Sequence, residues 1–166
     1  MLYSLFQQFN NSAIQRLYML SIQGDDYFMR QALKEAQKAY DEDEVPVGAV
    51  IVFDKKIIAR AHNQTEMLTD VTAHAEILAV TAASDFLGSK YLQTCTLYVT
   101  LEPCIMCAGA AFWAQFGRVV YGAGDDQRGF MRYGRELLHP KTKIEYGVLH
   151  EECSQIMRRY FEEKRV

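Results

Sequence analysis

Two short segments of the chain combine residue types that bind a transition metal. They are His74-Ala75-Glu76 and Pro103-Cys104-Ile105-Met106-Cys107, and each lies in the first turn of a predicted helix. Cys104 and Cys107 are three residues apart, so both sulfurs lie on one helix face and can hold the same ion. The positive potential at a helix N-terminus favours thiolates over thiols, and therefore favours metal binding.

His74, Cys104 and Cys107 together offer three ligands to Zn²⁺. A tetrahedral zinc ion with three protein ligands keeps its fourth position open for water, which is typical of catalytic sites. Zinc lowers the pKa of a bound water to about 7, so it supplies a nucleophile at neutral pH. Glu76 lies about 200° around a regular helix from His74, and at a helix start this can place its carboxylate beside that water. There it could move protons to a ring nitrogen and to departing ammonia, as hydrolytic deamination requires.

The elements predicted around these segments alternate between helices and strands. Asp25-Asp26 offers an N-cap for the first helix, and the hairpin signature Asp54-Lys55-Lys56 joins the first two strands. Strands are predicted at 49–53, 57–62, 96–100, 118–121 and 144–146, and helices at about 25–40, 73–86, 104–115 and 151–164, the last with Ile156, Met157, Tyr160 and Phe161 inward. This order predicts an α/β fold, in which helices cover both faces of a mixed sheet.

The two metal-binding segments also resemble a known family. The pattern H-x-E…P-C-x-x-C is the signature of zinc nucleobase deaminases. The similarity to bacterial tRNA adenosine deaminases extends from Asp26 to the C-terminus. Its segments are Pro46–Val50, Thr72–Glu76, Thr96–Ala110, Arg118–Gly122 and the ending Tyr160-Phe161…Lys164-Arg165.

The resemblance implies a cytidine-deaminase-like three-layer α/β/α fold of about five strands, with one Zn²⁺ per subunit of a homodimer. The implied reaction converts the wobble adenosine in a tRNA anticodon loop to inosine and releases ammonia. Asn63 would hydrogen-bond the flipped-out base, Val47 and Ala73 would shape its pocket, and the backbone around Glu102 and Pro103 would support the tetrahedral centre. A loosely stacked loop base lowers the unstacking cost of such extraction.

Several positions depart from the bacterial pattern and leave other functions open. The family usually carries His-Ser-Arg where this chain has Trp113-Ala114-Gln115, and a Trp-Ala pair there resembles guanine deaminases. One alternative is therefore deamination of a free base or nucleoside, with guanine first. Another is an RNA-binding module whose zinc is structural, with a fourth ligand such as Cys95, Cys153 or His62. Trp113 itself is expected in core or dimer packing.

The charge distribution bears on RNA binding. The net charge is −3, but residues 1–90 have a balance of −4 and residues 91–166 one of +1. The segment 128–143 holds five basic residues against Glu136 alone, with aromatic residues between them, which suits a single-stranded RNA loop. A solvated surface loop is the competing interpretation. The predicted RNA contacts are Arg128, Phe130, Arg132, Tyr133, Lys141 and Lys143.

Length and terminal composition suggest one domain with an extension. The 166 residues suit a single domain, here 25–166, and Cys95 and Cys153 are expected in its core. Residues 1–24 read as a short amphipathic helix, an extension without fixed structure, or the product of a start codon placed too far upstream. The sequence shows no secretory signal and no stretch of roughly 20 apolar residues that would span a membrane, so a cytoplasmic location is expected.

Overall fold

The computed structural model describes residues 24–165, and it contains four α-helices, two short 3-10 helices and five strands in that range. The helices are α1 (Asp25–Asp41), α2 (Ala75–Leu87), α3 (Ile105–Ala114) and α4 (His150–Glu163). The strands are β1 (Gly48–Phe53), β2 (Lys56–His62), β3 (Thr96–Leu101), β4 (Arg118–Ala123) and β5 (Lys143–Tyr146). Each lies within a few residues of its predicted position, whereas the predicted extension, apart from Gly24, falls outside the described residues.

The five strands form one mixed sheet in the order β2-β1-β3-β4-β5. β1 pairs antiparallel with both β2 and β3, while β3, β4 and β5 are parallel to one another. The parallel half arises because a helix connects β3 to β4 and returns the chain to the starting edge. The predicted mixed five-stranded α/β fold is confirmed.

Separate hydrophobic cores cover the two faces of the sheet. Ala49 and Ile51 of β1 point towards α2 and α3, whereas Val50 and Val52 point towards α1. This alternation follows from the two-residue period of a strand, and because both faces are covered, β1 is apolar throughout. The sheet is therefore the middle of three layers.

The start of α1 is tied to the sheet by a charged cluster. Gly24, not Asp25 or Asp26, is the N-cap residue, and no side chain caps the helix. Asp25 instead accepts hydrogen bonds from the Arg118 guanidinium at 2.6 and 2.7 Å, and from the Tyr98 hydroxyl at 2.7 Å. The predicted capping role of Asp25-Asp26 is thus wrong. The Asp25 carboxylate binds the partly buried Arg118 instead of the first N–H groups of the helix.

The predictions for apolar side chains have different outcomes. Ile156 of α4 is buried as predicted, but Phe161, which was predicted to face inward, is 43% exposed because the last turns of α4 border a cavity. Trp113 is 76% exposed, which excludes packing in the core of this chain and leaves dimer packing as the remaining expectation; α3 turns its small residues Ala108 and Ala111 inward instead. Cys95 and Cys153 are buried, as expected. Within residues 24–165, every helix is too short or too polar to cross a bilayer.

Candidate active site

The metal-binding segments meet at the edge where the parallel strands end. β3 and β4 both end at this edge, and α2 and α3 begin there. His74 is the N-cap residue of α2 and Cys104 that of α3, both with extended backbone, while Cys107 lies in the first turn of α3. His74 and Cys104 thus stand one residue before the helices rather than inside them. Helix N-termini that face one point favour anionic ligands and the deprotonated sulfurs that hold a metal.

His74, Cys104 and Cys107 form a group that could hold a metal ion, named the metal-ligand cluster for that reason. Their ligand atoms lie within 4.8 Å of one another, with His74 Nδ1 3.7 Å from Cys104 Sγ and 3.5 Å from Cys107 Sγ. Zinc bonds of about 2.3 Å to sulfur and about 2.0 Å to nitrogen at tetrahedral angles place N and S about 3.6 Å apart. The donor set therefore fits Zn²⁺. Among residues 24–165, no fourth His, Cys, Asp or Glu joins the cluster.

The protonation of the cluster also suits a cation. A hydrogen bond from Cys107, helped by His74, lowers the pKa of Cys104 to about 4 despite its partial burial. The same sulfur pair and burial raise the pKa of Cys107. The neighbouring Cys104 raises the pKa of His74. One sulfur thus carries negative charge at neutral pH, and a divalent cation can displace the remaining proton.

Glu76 lies beside the cluster without belonging to it. Its side chain is only 4% exposed, and burial raises the pKa of its carboxyl group. A buried carboxyl group with a raised pKa holds a proton more readily than an exposed one, which suits a general acid and base.

His74, Glu76 and Cys104 line a cavity of about 860 Å³. Of the predicted substrate residues, Val47, Asn63 and Glu102 line it. Ala73 and Pro103 are buried behind it, and their carbonyl oxygens accept hydrogen bonds from the backbone N–H groups of Gln64 and Phe130. Because the cavity exceeds the volume of one base, it has room for neighbouring groups of a larger substrate.

One predicted RNA contact is wrong. Phe130 is fully buried and packs edge-on against Tyr121, with ring centroids 6.1 Å apart. The loop turns it inward because the Glu102 carboxylate accepts hydrogen bonds from the N–H groups of Asp125 and Met131. Arg128 of the same loop lines the cavity. The other candidates are exposed and outside its lining: Arg132, Tyr133, Lys141 and Lys143.

One wall of the cavity was not predicted from the sequence. It consists of α4 side chains and one residue just after the helix: Ser154, Met157, Arg158, Phe161 and Glu162, followed by Arg165. A helical period places Met157 and Phe161 on one face but does not reveal whether that face meets the sheet or a cavity. The basic residues that follow along the same helix were the available signal.

Comparison with known proteins agrees with this geometry. Residues 22–123 match the family model of the cytidine and deoxycytidylate deaminase zinc-binding region. The tRNA-specific adenosine deaminase of Aquifex aeolicus is 44% identical, over 86% of this chain and 97% of that protein. A solved structure from a study of A-to-I editing by tRNA:A34 deaminases is 44% identical, with a TM-score of 0.74, covering 78% of this chain and 98% of that one.

A guanine deaminase from Nitrosomonas europaea shares the fold, with a TM-score of 0.73 at 24% identity over 81% of this chain and 83% of that one. The similarity at that identity concerns the fold alone. The match to the family model spans the metal-ligand cluster and Glu76. The chain is a zinc-dependent deaminase and belongs to the cytidine and deoxycytidylate deaminase family.

Proposed function

We propose that this deaminase converts the wobble adenosine of a tRNA anticodon loop to inosine and releases ammonia. The observation that carries the proposal is the three-ligand cluster with buried Glu76 at a cavity much larger than one base. The high identity to tRNA-specific adenosine deaminases over nearly their whole length supports the choice of substrate. It also favours the predicted cytoplasmic location, where tRNA is used.

The residues of the site divide the reaction between them. When held by His74, Cys104 and Cys107, Zn²⁺ supplies the Lewis acid that activates the attacking water. Glu76 takes one proton from that water and passes it to a ring nitrogen. It then carries a second proton, from the hydroxyl group that has been added to the ring carbon, to the amino group, which leaves as ammonia. Asn63 binds an edge of the flipped-out base.

Part of the cavity wall suits a polyanion carrying exposed bases, although five acidic side chains also line the cavity. Arg128, Arg158 and Arg165 lie on it together with Phe161. Guanidinium groups bind phosphate oxygens, and an exposed aromatic ring offers a surface on which a base can stack. These four side chains could thus hold the nucleotides that flank the target, although the whole chain carries a net charge of −3.

We further propose that the enzyme is a homodimer joined through the outer face of α3. Trp113, exposed at 76%, and Ile105, exposed at 45%, lie on this helix. The ring centroid of Phe112 lies 5.6 Å from that of Trp113. Large aromatic side chains of this kind are typical centres of protein interfaces.

A substrate comparison tests the proposed function. Ammonia release and inosine formation are measured with an ACG-anticodon arginine tRNA stem-loop and, in parallel, with free guanine. Inosine in the stem-loop without turnover of guanine supports the proposal. Turnover of guanine alone would still indicate zinc-dependent deamination, but it would assign guanine rather than tRNA as the substrate. Binding through phosphates must also weaken steeply as salt rises, whereas capture of a neutral base barely responds.

The structural-zinc alternative has its own readout. A spectroscopic determination of the zinc environment distinguishes four protein ligands from three protein ligands plus one exchangeable ligand. Three protein ligands plus one exchangeable ligand are expected, because no fourth His, Cys, Asp or Glu of residues 24–165 joins the cluster. Four protein ligands would contradict this open position.

A further inference from the structure

A second buried carboxylate, Glu44, lies beneath the cavity wall. Only 1% of Glu44 is exposed, and its carboxylate accepts four hydrogen bonds. Oε1 accepts from the backbone N–H groups of Glu66 at 2.9 Å and Met67 at 2.8 Å. Oε2 accepts from Asn63 Nδ2 at 2.9 Å and from the Thr65 hydroxyl at 3.1 Å. Glu44 lies outside the metal-ligand cluster. Its Oε1 accepts only from backbone N–H groups, and its Oε2 accepts only from side chains.

The bond to Oε2 determines how the Asn63 amide is oriented. An amide can usually exchange its oxygen and nitrogen by a half turn, but a carboxylate only accepts hydrogen bonds, so the nitrogen must face Glu44. Asn63 Nδ2 also donates to Thr65 Oγ1 at 3.1 Å. Within residues 24–165, Asn63 Oδ1 has no hydrogen-bond partner, although Asn63 is 95% buried and lines the cavity. The carbonyl is therefore the part of this amide that is available to a ligand.

We propose that Glu44 is a positioning residue for substrate recognition, because it locks the Asn63 amide with its carbonyl available to the substrate. This inference rests on the proposed role of Asn63 in binding the base. A carbonyl accepts only, so the substrate group that meets it is an N–H or O–H donor. A buried acceptor left without such a donor discriminates strongly against a substrate that lacks it.

The two oxygens allow the locking role to be separated from support of the backbone. In Glu44→Gln, the remaining oxygen stays with the N–H groups of Glu66 and Met67, because backbone donors cannot reverse. The new amide nitrogen then faces Asn63, and two donors cannot pair, so the Asn63 amide turns over and presents Nδ2 to the substrate. We expect kcat/KM on the stem-loop to fall about 10- to 100-fold, with zinc content and Tm unchanged.

Two further variants show whether the loss passes through Asn63. In an Asn63→Ala background, Glu44→Gln is expected to cause less than about a twofold further loss, since coupled residues are not additive. Asn63→Asp alone sets two carboxylates against each other. In the double variant with Glu44→Gln, the new amide at position 44 donates a hydrogen bond to the carboxylate at position 63, whose other oxygen faces the substrate. The double variant must therefore have a higher kcat/KM than Asn63→Asp alone. Glu42→Gln, the same change at an exposed site bonded to His62, is the matched control and keeps wild-type kcat/KM.

An observation without substrate separates this inference from the proposed function. The side-chain amide of Asn63 is followed by ¹⁵N NMR in the wild type and in Glu44→Gln, where its resonances must move. Unchanged Asn63 resonances would overturn the positioning role of Glu44. So would an equal loss of kcat/KM from Glu44→Gln in the wild-type and Asn63→Ala backgrounds. A wild-type kcat/KM in Asn63→Ala would instead refute base binding by Asn63, and an inactive wild type would refute the proposed substrate.

Discussion

At the scale of single residues, the buried carboxylates around the cavity have different tasks because their partners differ. Glu44 and Glu102 accept hydrogen bonds from backbone N–H groups and hold loops in place. Gly129 lies so close to Glu102 that an added Cβ would come within 2.3 Å of Oε1. Glu76 lies beside the metal-ligand cluster instead, and burial raises the pKa of its carboxyl group. This suits proton transfer.

Replacement of Glu76 by glutamine tests its proton-transfer role. An amide cannot shuttle a proton, so we expect kcat to fall at least about 10²- to 10⁴-fold. Zinc content, measured by metal analysis, should remain at one ion per chain, because Glu76 lies outside the metal-ligand cluster.

Asp85→Asn provides the control, since it makes the same change on an exposed part of α2. It should leave both kcat and zinc content unchanged. If Glu76→Gln kept a near-normal rate, or lost its zinc, the proton-transfer role assigned to Glu76 would be wrong.

At the scale of the elements, α1 sits directly on the first residue of β1. A Cβ added to Gly48 would lie 2.1 Å from the carbonyl oxygen of Ala32 and 2.3 Å from the backbone nitrogen of Ala36. The Gly48 N–H donates to the Thr100 hydroxyl at 3.1 Å, so the strand cannot move away freely. The close approach of this helix fixes the segment 44–47 that leads into the cavity.

Gly48→Ala should therefore lower the free energy of unfolding by about 1–3 kcal/mol, as overpacking does. Urea unfolding monitored by circular dichroism measures the change. Gly109→Ala is the matched control, because nothing lies within 4 Å of the added Cβ and alanine favours the helix interior by about 1 kcal/mol. Equal effects of the two substitutions would contradict the close packing of α1.

The elements also show where sequence reasoning succeeds and where it ends. The grouping of His74, Cys104 and Cys107 and the order of the strands were predictable, because the motif spacing and the periods of strands and helices indicate them. Phe130 and Phe161 were misplaced, one predicted outside and found buried, the other predicted inward and found exposed. The period of a helix or strand shows which residues share a face, but it does not show what that face packs against. The hydrogen bonds of Glu102 that turn Phe130 inward join residues more than 20 positions apart.

At the scale of the whole molecule, the ion pair between Asp25 and Arg118 links the first helix to the sheet and makes stability depend on pH. The Arg118 guanidinium holds the pKa of Asp25 below its ordinary value of 3.8. A depressed pKa in the folded state stabilises the fold above the unfolded pKa, and this stabilisation is lost as pH falls through the folded pKa.

Asp25→Asn should lower the free energy of unfolding at pH 7 by about 1 kcal/mol, a modest value because the pair is partly exposed. Below the folded pKa of Asp25 the variant and the wild type should converge. Urea titrations at pH 7 and at low pH measure both values. Asp26→Asn, which changes the exposed neighbour in the same helix turn, should show no comparable convergence; identical curves for the two variants would refute the role of Arg118.

The proposed dimer predicts a second property of the whole molecule. Trp113→Glu places a charge at the centre of the α3 face, so sedimentation should show a monomer where the wild type is a dimer. The Tm of the monomeric fold should change little, because Trp113 is 76% exposed. Phe53→Glu, at the end of β1 in the hairpin, should leave the dimer intact. A wild-type monomer, or a dimer in Trp113→Glu, would refute this interface.

The positions of Asp25 and Arg165 relative to the sheet have a practical consequence. Asp25 binds Arg118, where β4 begins, whereas Arg165 lines the same cavity as Ala123, where β4 ends. A fusion joined directly after Arg165 therefore starts beside the cavity of the proposed site. A fusion joined directly to Gly24, in place of residues 1–23, meets the described fold at the opposite edge. Affinity handles and fused targeting domains belong on that side, and a C-terminal handle is expected to reduce access for a stem-loop more than for a free base.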